Sequence, residues 1–262
     1  MIVDGIQESS ENSPNYHWAV GIFMDDPEVS ITKCTGTLIS PIHVVTAAHC
    51  VTNRGDNSTT FNRINYFVGA GAKCVESTQE CRDFGAKRVI AKVKNVVATV
   101  EIMKGEWNRH GGDIALLELE NPIEQNNHIE FACLPAHDMD LPLNTPNFIH
   151  WGWGKREFDG SPATKAAVLN YLKDVSLFDC AITNPDVDVM CTTAKLMKQG
   201  TEWGDSGSGL EYFEQDFATG KHYVVGVTDY STNISSHTYC ADLRIYSKWI
   251  CDLTGICYME KK

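Results

Sequence analysis

Gly204-Asp205-Ser206-Gly207-Ser208 stands late in the chain, after two other short strings, Thr46-Ala47-Ala48-His49-Cys50 and Asp113-Ile114-Ala115-Leu116-Leu117. In this order the strings supply a histidine, an aspartate and a serine. Each string is weak evidence alone, because Gly, Asp and Ser are common in turns and a lone histidine or aspartate often has only a structural role. All three contexts together, in this order, indicate one catalytic set.

A serine, a histidine and an aspartate can together perform nucleophilic catalysis. A serine hydroxyl is nearly inert at neutral pH, so Ser206 needs an adjacent base to accept its proton as it attacks a carbonyl. His49 is the candidate base, and it would later give the proton to the leaving amine. Asp113 precedes an apolar run that predicts a buried strand, and its carboxylate would accept the second ring N–H of His49 and fix the tautomer.

The three strings resemble those of the chymotrypsin/trypsin family of serine endopeptidases (peptidase S1), and the resemblance extends from Ile2 to the neighbourhood of Trp249. It implies an all-β, chymotrypsin-like fold of two packed six-stranded antiparallel Greek-key β-barrels with a C-terminal helix. It also implies protein or peptide substrates, protein protease inhibitors as partners, and a secreted monomer that needs no cofactor.

The same resemblance assigns roles to the residues around the serine. The backbone N–H groups of Gly204 and Ser206 would form an oxyanion hole, since a residue without Cβ permits the backbone geometry required. The carboxylate of Asp205 would pair, buried, with the α-ammonium of Ile2 and so switch the oxyanion loop into shape.

The first residues bear on that activation pair. The chain begins Met1-Ile2-Val3-Asp4-Gly5 with no apolar signal segment, and Ile-Val-X-Gly resembles the mature N-terminus of the family. Met1 is therefore expected to stand in place of a signal and propeptide. If Met1 is retained, the ammonium lies one residue too far out and the chain is expected to be zymogen-like.

Composition limits the class of protein. The chain has 262 residues, 43% of them hydrophobic, which suffices for one large all-β unit, and no apolar run is of membrane length. Its 22 Lys and Arg against 34 Asp and Glu give a formal net charge of -12. Nucleic-acid binding needs clustered positive charge. We therefore expect neither a nucleic acid nor a membrane as a partner.

Ten cysteines and two Asn-X-Ser/Thr sequons, at Asn57 and Asn233, indicate an oxidising, secretory compartment. No Cys-x-x-Cys pair occurs and the histidines lack zinc-site spacing, so no metal is expected.

Disulfide pairing follows from the resemblance for some of these cysteines. It implies Cys34–Cys50, which brackets the histidine, and Cys180–Cys191. A local bridge, Cys74–Cys81, is a further candidate because it would close a short polar stretch. Four cysteines remain, and sequence leaves their three possible pairings open: Cys133, Cys240, Cys251 and Cys257.

Short apolar or alternating runs, rich in β-branched and aromatic residues, predict the strands. They are 19–24, 35–40, 64–68, 87–99, 114–120, 148–151, 168–176 and 222–228. Their number and spacing leave barrels or a sandwich open. Without a repeat or a linker, residues 2–262 are expected to form one catalytic domain. Its parts would be an N-terminal barrel over about 15–120, a C-terminal barrel over about 130–242 and a closing helix over about 243–252.

The substrate pocket departs most from the family pattern. Gly200 and Thr201 should form its base, close to Trp203, while Tyr230 and Ser231 should form its other wall. No acidic residue stands at the base, so a trypsin-like preference for Arg or Lys is not expected. Ser231 replaces a glycine that admits a large side chain, which favours small or medium apolar residues.

Alternatives stay open at two levels. Asp242 reaching into the pocket would favour a basic substrate side chain instead. At the level of function, an active secreted serine endopeptidase competes with a catalytically silent or zymogen-locked homologue that acts as an extracellular binding protein. The complete set of His49, Asp113, Ser206 and Gly204 argues against a pure binding protein. A glycoprotein with disulfides for stability only would not explain the three strings.

Overall fold

The computed structural model describes residues 6–7, 17–28, 32–52, 65–75, 88–99, 112–156, 164–165, 169–180, 188–195, 200–215, 220–232 and 236–258. The strands in these ranges are β1 (Ile6–Gln7), β2 (Ala19–Met24), β3 (Cys34–Ser40), β4 (His43–Thr46), β5 (Tyr66–Ala70), β6 (Val89–Ala98), β7 (Ala115–Leu119), β8 (Phe148–Gly152), β9 (Lys155–Arg156), β10 (Thr164–Lys165), β11 (Asn170–Phe178), β12 (Val189–Ala194), β13 (Gly209–Phe213), β14 (His222–Thr232) and β15 (His237–Asp242). A short 3-10 helix (Ala48–Cys50) follows β4, and helix α1 (Leu243–Thr254) follows β15.

The first barrel is closed by six antiparallel strands in the order β2, β3, β4, β7, β6, β5. Its strands are rich in β-branched residues, whose side chains pack well on a pleated surface. Val20, Leu38 and Val44 are fully buried in the core that results. Helix α1 adds Leu243 and Ile250 to the same apolar cluster.

The second barrel is closed in the order β8, β11, β12, β15, β14, β13, because β8 pairs with both β13 and β11. Phe148, Leu210 and Val225 lie in its core. The N-terminal strand β1 adds to this barrel by pairing with β11. Two six-stranded antiparallel barrels and a C-terminal helix confirm the predicted fold class, so the sandwich alternative is wrong.

The two barrels meet through an apolar cluster and through backbone contacts. Phe23 of the first barrel packs with Trp151 and Trp153, which belong to β8 and the turn after it. The backbone N–H of Thr35 in β3 donates to the carbonyl of Ser206 at 2.9 Å. This hydrogen bond fixes the loop that carries Ser206, in the second barrel, against strand β3 of the first.

Helix α1 has a side-chain cap at its start and a glycine at its end. Asp242 accepts a hydrogen bond from the backbone N–H of Arg244 at 2.9 Å, which satisfies a donor of the first turn. Gly255 ends the helix with φ 74°, a left-handed conformation that glycine adopts without strain. No helix in the described part of the chain is long and apolar enough to cross a membrane.

Candidate active site

His49 and Asp113 are brought together by the pairing of β4 with β7. Thr46 lies opposite Ala115, so the turn after β4 and the residues before β7 emerge at the same end of the barrel. The backbone N–H of His49 donates to Asp113 Oδ1 at 2.8 Å, and His49 Nδ1 lies 2.5 Å from Asp113 Oδ2. Two hydrogen bonds to one carboxylate hold the imidazole ring in a single orientation.

Asp113 is 6% exposed, so its charge needs compensation. Burial alone would raise the pKa of the carboxyl. The hydrogen bonds and charge of His49, with a hydrogen bond to Asp229, outweigh burial and hold that pKa below its usual range. Asp113 is therefore an anion at neutral pH, as an orienting partner of a histidine must be.

Ser206 lies in a tight turn between the barrels and is partly exposed. The turn is fixed by three backbone hydrogen bonds: Thr35 N–H to the Ser206 carbonyl, Gly207 N–H to the Thr228 carbonyl at 2.7 Å, and Thr228 N–H to the Ser208 carbonyl at 2.8 Å. Gly207 has φ 81°, and a Cβ there would collide with Thr46 Oγ1 and the Thr35 carbonyl. In the part of the chain that the structure describes, no hydrogen bond joins the Ser206 hydroxyl to His49, a bond that often tightens only when substrate binds.

The backbone around Gly204 presents donors. Gly204 has φ 104°, a conformation that residues with a Cβ rarely adopt, and its carbonyl accepts a hydrogen bond from Thr35 Oγ1 at 2.9 Å. Among the described residues, neither the Gly204 N–H nor the Ser206 N–H donates to an acceptor. Two adjacent unengaged N–H groups can receive an oxyanion.

Asp205 is fully buried between these two residues. Its carboxylate accepts hydrogen bonds from the backbone N–H groups of Gly154 at 2.8 Å and Glu202 at 3.0 Å. Ile2, the other member of the expected activation pair, lies outside the described residues, so that pairing stays a prediction.

The residues expected around the pocket fall into two groups. Thr201, Ser231 and Thr238 bring three hydroxyls together: Thr201 Oγ1 lies 3.0 Å from Thr238 Oγ1, and Ser231 Oγ donates to the Thr201 carbonyl. Trp203, in contrast, is 77% exposed and directly precedes Gly204. Sequence reasoning gave Thr238 no role, because it lies opposite Ser231 only through the register of β14 and β15.

Other predicted residues of the pocket are placed more simply. Gly200 has open space where a Cβ would point. Tyr230 stacks on Tyr239 with ring centroids 4.4 Å apart. Both carboxylate oxygens of Asp242 accept hydrogen bonds from Arg244 at the start of helix α1. Asp242 therefore does not reach into the pocket, as the alternative with a basic substrate side chain would need.

A second carboxylate reaches the histidine. Asp229 Oδ1 lies 3.8 Å from His49 Nδ1, and an oxygen of Asp229 lies within 4.8 Å of an oxygen of Asp113. Sequence reasoning gave Asp229 no role. The available signal was its position directly before Tyr230, in the segment that resembles the Ser-Trp-Gly edge of the family, where it takes the place of the serine.

The structure joins Cys34 to Cys50 and Cys180 to Cys191, the two pairings that the resemblance implies. It also joins Cys251 to Cys257, and leaves Cys133 and Cys240 as free thiols. Cys74 is disulfide-bonded, whereas Cys81 and both sequons, at Asn57 and Asn233, lie outside the described residues. Cys34 and Cys50 flank His49, but their sulfurs are bonded to each other and offer no thiolate to a metal.

Comparison with known proteins gives a consistent result over most of the chain. The family model described as trypsin matches residues 4–250. Clotting factor G beta subunit of Tachypleus tridentatus is 28% identical over 92% of this chain and 76% of its own length. Chymotrypsin-like elastase family member 1 of Felis catus is 29% identical over 83% and 77%, and chymotrypsin-C of Bos taurus is 32% identical over 79% and 70%.

Proposed function

Since the chain belongs to the trypsin family of serine endopeptidases, we propose that it cleaves protein and peptide substrates through an acyl-enzyme formed on Ser206. The observation that carries this proposal is the geometry of His49, whose Nδ1 is held 2.5 Å from the buried carboxylate of Asp113. That contact places the Nδ1 proton toward Asp113 and leaves Nε2 as the basic nitrogen.

Each step of the proposed reaction uses one of the described groups. His49 Nε2 accepts the Ser206 proton as Oγ bonds to the carbonyl carbon, and then gives that proton to the leaving amine. The negative oxygen is received by the Gly204 and Ser206 N–H groups, each worth about a hundredfold to a thousandfold in rate. A water molecule, activated by the same histidine, then releases the acyl group and restores Ser206.

The test of this reaction is covalent labelling. A fluorophosphonate probe should modify Ser206 in the wild-type chain, and His49→Ala should abolish labelling because the hydroxyl loses its base. Mass mapping of the adduct identifies the residue, and circular dichroism shows that both chains are folded. A folded wild-type chain that is not labelled would favour the silent homologue that acts as a binding protein.

The primary pocket is proposed to accept small or medium apolar side chains. The clustering of Thr201, Ser231 and Thr238 at the proposed base and wall supports a small pocket, and the proposed base carries no carboxylate to hold Arg or Lys. One of the relatives is an elastase by name, which is consistent with a small pocket.

A peptide library tests the pocket. The wild-type chain should cut after small or medium apolar residues, and Thr238→Gly should raise the preference for Phe over Ala by about tenfold or more, because it opens the base. Thr193→Gly is the matched control, since it makes the same change on the neighbouring strand β12. Dominant cleavage after Arg or Lys, or an unchanged profile in Thr238→Gly, would contradict the proposal.

Further features of the enzyme are proposed from the same evidence. Secretion fits the three disulfides among the described residues, since such bonds persist in oxidising compartments. We propose a monomer that acts as one catalytic domain, is open to protein protease inhibitors, and is activated by pairing of the Ile2 ammonium with Asp205.

A further inference from the structure

Asp229 owes its position to an irregularity in β14. Thr228 lies opposite Cys240 and Tyr230 lies opposite Tyr239, its neighbour along β15, so the strand register shifts at Asp229, the extra residue between them. An extra residue of this kind is a β-bulge, which turns a side chain away from the direction that regular pleating would give it. Here the bulge brings a carboxyl from the second barrel to the histidine of the first.

Three ionisable groups converge at this point. One nitrogen of His49 and one oxygen from each of Asp113 and Asp229 all lie within 4.8 Å of one another. The side chains of Asp113 and Asp229 are 8% and 13% exposed. Two carboxylates this close and this buried repel each other when both are ionised, which favours a proton on one of them.

The geometry assigns that proton. Asp113 receives the His49 backbone N–H at 2.8 Å and faces His49 Nδ1 at 2.5 Å, whereas Asp229 is 3.8 Å from the same nitrogen. The carboxyl with more and shorter donors is the better anion. We propose that Asp229 stays protonated in the working enzyme and donates its O–H to Asp113, as a neutral positioning residue for the catalytic pair.

The other groups around the pair support a single negative charge. From β15, the buried Cys240 thiol faces the same region, and burial raises its pKa so that it stays neutral. From the opposite side, Asp188 and the Tyr246 hydroxyl both bind the N–H of Gly112, next to Asp113. These neighbours, and Asp242 beyond Cys240, supply no positive charge. Among the described groups that act on Asp113, His49 is the one basic side chain, and its interactions outweigh burial and hold the pKa of Asp113 low.

A neutral Asp229 would help catalysis by holding the Asp113 carboxylate in place. This inference rests on the proposed function. The neutral side chain holds the Asp113 carboxylate against rotation while adding no charge to the site. A second anion 3.8 Å from Nδ1 would instead add negative charge beside the base. The bulge thus adds a hydrogen bond without adding a charge.

Two substitutions separate a neutral donor from a second anion. Asp229→Asn keeps the shape and an N–H donor, so kcat/KM should stay within about threefold of wild type and the acid limb of its pH profile should keep the same apparent pKa. Asp229→Ala removes the donor, so kcat should fall by about tenfold to a hundredfold with little change in KM. Asp179→Asn, which removes an exposed carboxylate, controls for the change in net charge.

The outcomes are distinct. An acid limb that shifts down by about one pH unit in Asp229→Asn alone would show that Asp229 is an anion and would overturn the inference. Full activity in Asp229→Ala would overturn it as well. Fluorophosphonate labelling of wild-type Ser206 is measured beside each variant, because an unlabelled wild-type chain means that the proposed function has failed, whereas a labelled one confines any failure to Asp229.

Discussion

At the scale of single residues, His150 is a fully buried histidine in β8 with a hydroxyl at each ring nitrogen. Nε2 lies 3.0 Å from Thr192 Oγ1, and Nδ1 lies 3.2 Å from Thr228 Oγ1. Thr228 also receives the Ser208 hydroxyl at 3.0 Å, so the chain of hydrogen bonds ends two residues from the nucleophile. Burial lowers the pKa of His150 to about 4, although the charge of Asp205 opposes the shift, and the ring is neutral at neutral pH.

This buried histidine predicts a loss of stability in mild acid. In the unfolded chain His150 binds a proton below about pH 6.5, whereas in the folded protein it binds one only near pH 4. The free energy of unfolding therefore falls as the pH falls through this window. Between pH 7 and pH 5 the contribution is about 2 kcal/mol of unfolding free energy. Urea unfolding at the two pH values should show this loss in wild type and in His137→Gln, an exposed control, but not in His150→Gln. An equal loss in His150→Gln would contradict the assignment.

Residues also differ in how far sequence reveals them. The catalytic residues His49, Asp113 and Ser206 were predictable because each lies in a short sequence string that resembles the corresponding string of the family. Asp229 and Thr238 were not, because their roles come from a bulge and from cross-strand register, which depend on strands distant in sequence. Spacing along the chain carries no signal for Thr238, and the one signal for Asp229 was its position directly before Tyr230.

At the scale of elements, each of the eight predicted runs overlaps an observed strand, whereas β4 and several strands that bury a polar side chain were missed. The β2 prediction matches its observed bounds, Ala19–Met24. Strands β12, β13 and β15 were not predicted, and each buries a polar side chain: Thr192, Glu211 and Thr238. Such residues blur the alternation by which a half-buried strand is recognised. The buried Glu211 of β13 pairs with His222 of β14, a partner that sequence could not supply.

At the scale of the whole molecule, the N-terminal segment runs onto the second barrel near the buried Asp205. In the register of β1, Gln7 lies opposite Asn170, which lies opposite Gly152. A Cβ on Gly152 would collide with the Asp205 carboxylate. This path is consistent with the proposed pairing of the Ile2 ammonium with Asp205.

Removal of Met1 should therefore activate the enzyme. A chain that begins at Ile2 is expected to exceed the Met1-containing chain in kcat/KM by about tenfold or more, because the proposed pairing of its ammonium with Asp205 would stabilise the turn at Gly204 and Ser206. Asp205→Asn in the Ile2 chain should abolish the gain. Active-site titration and N-terminal sequencing give the active fraction of each preparation, and equal activity with Met1 in place would sink the proposal.

The hydrogen bond from Thr35 to the Ser206 carbonyl has a consequence for how the protein is made. His49 and Asp113 belong to the half that is synthesised first, and Ser206 to the half that follows. Domains tend to fold in the order of synthesis, so an incomplete chain holds a base without a nucleophile. We therefore expect the ability to cut to arise only when the two halves dock, after synthesis of the second half.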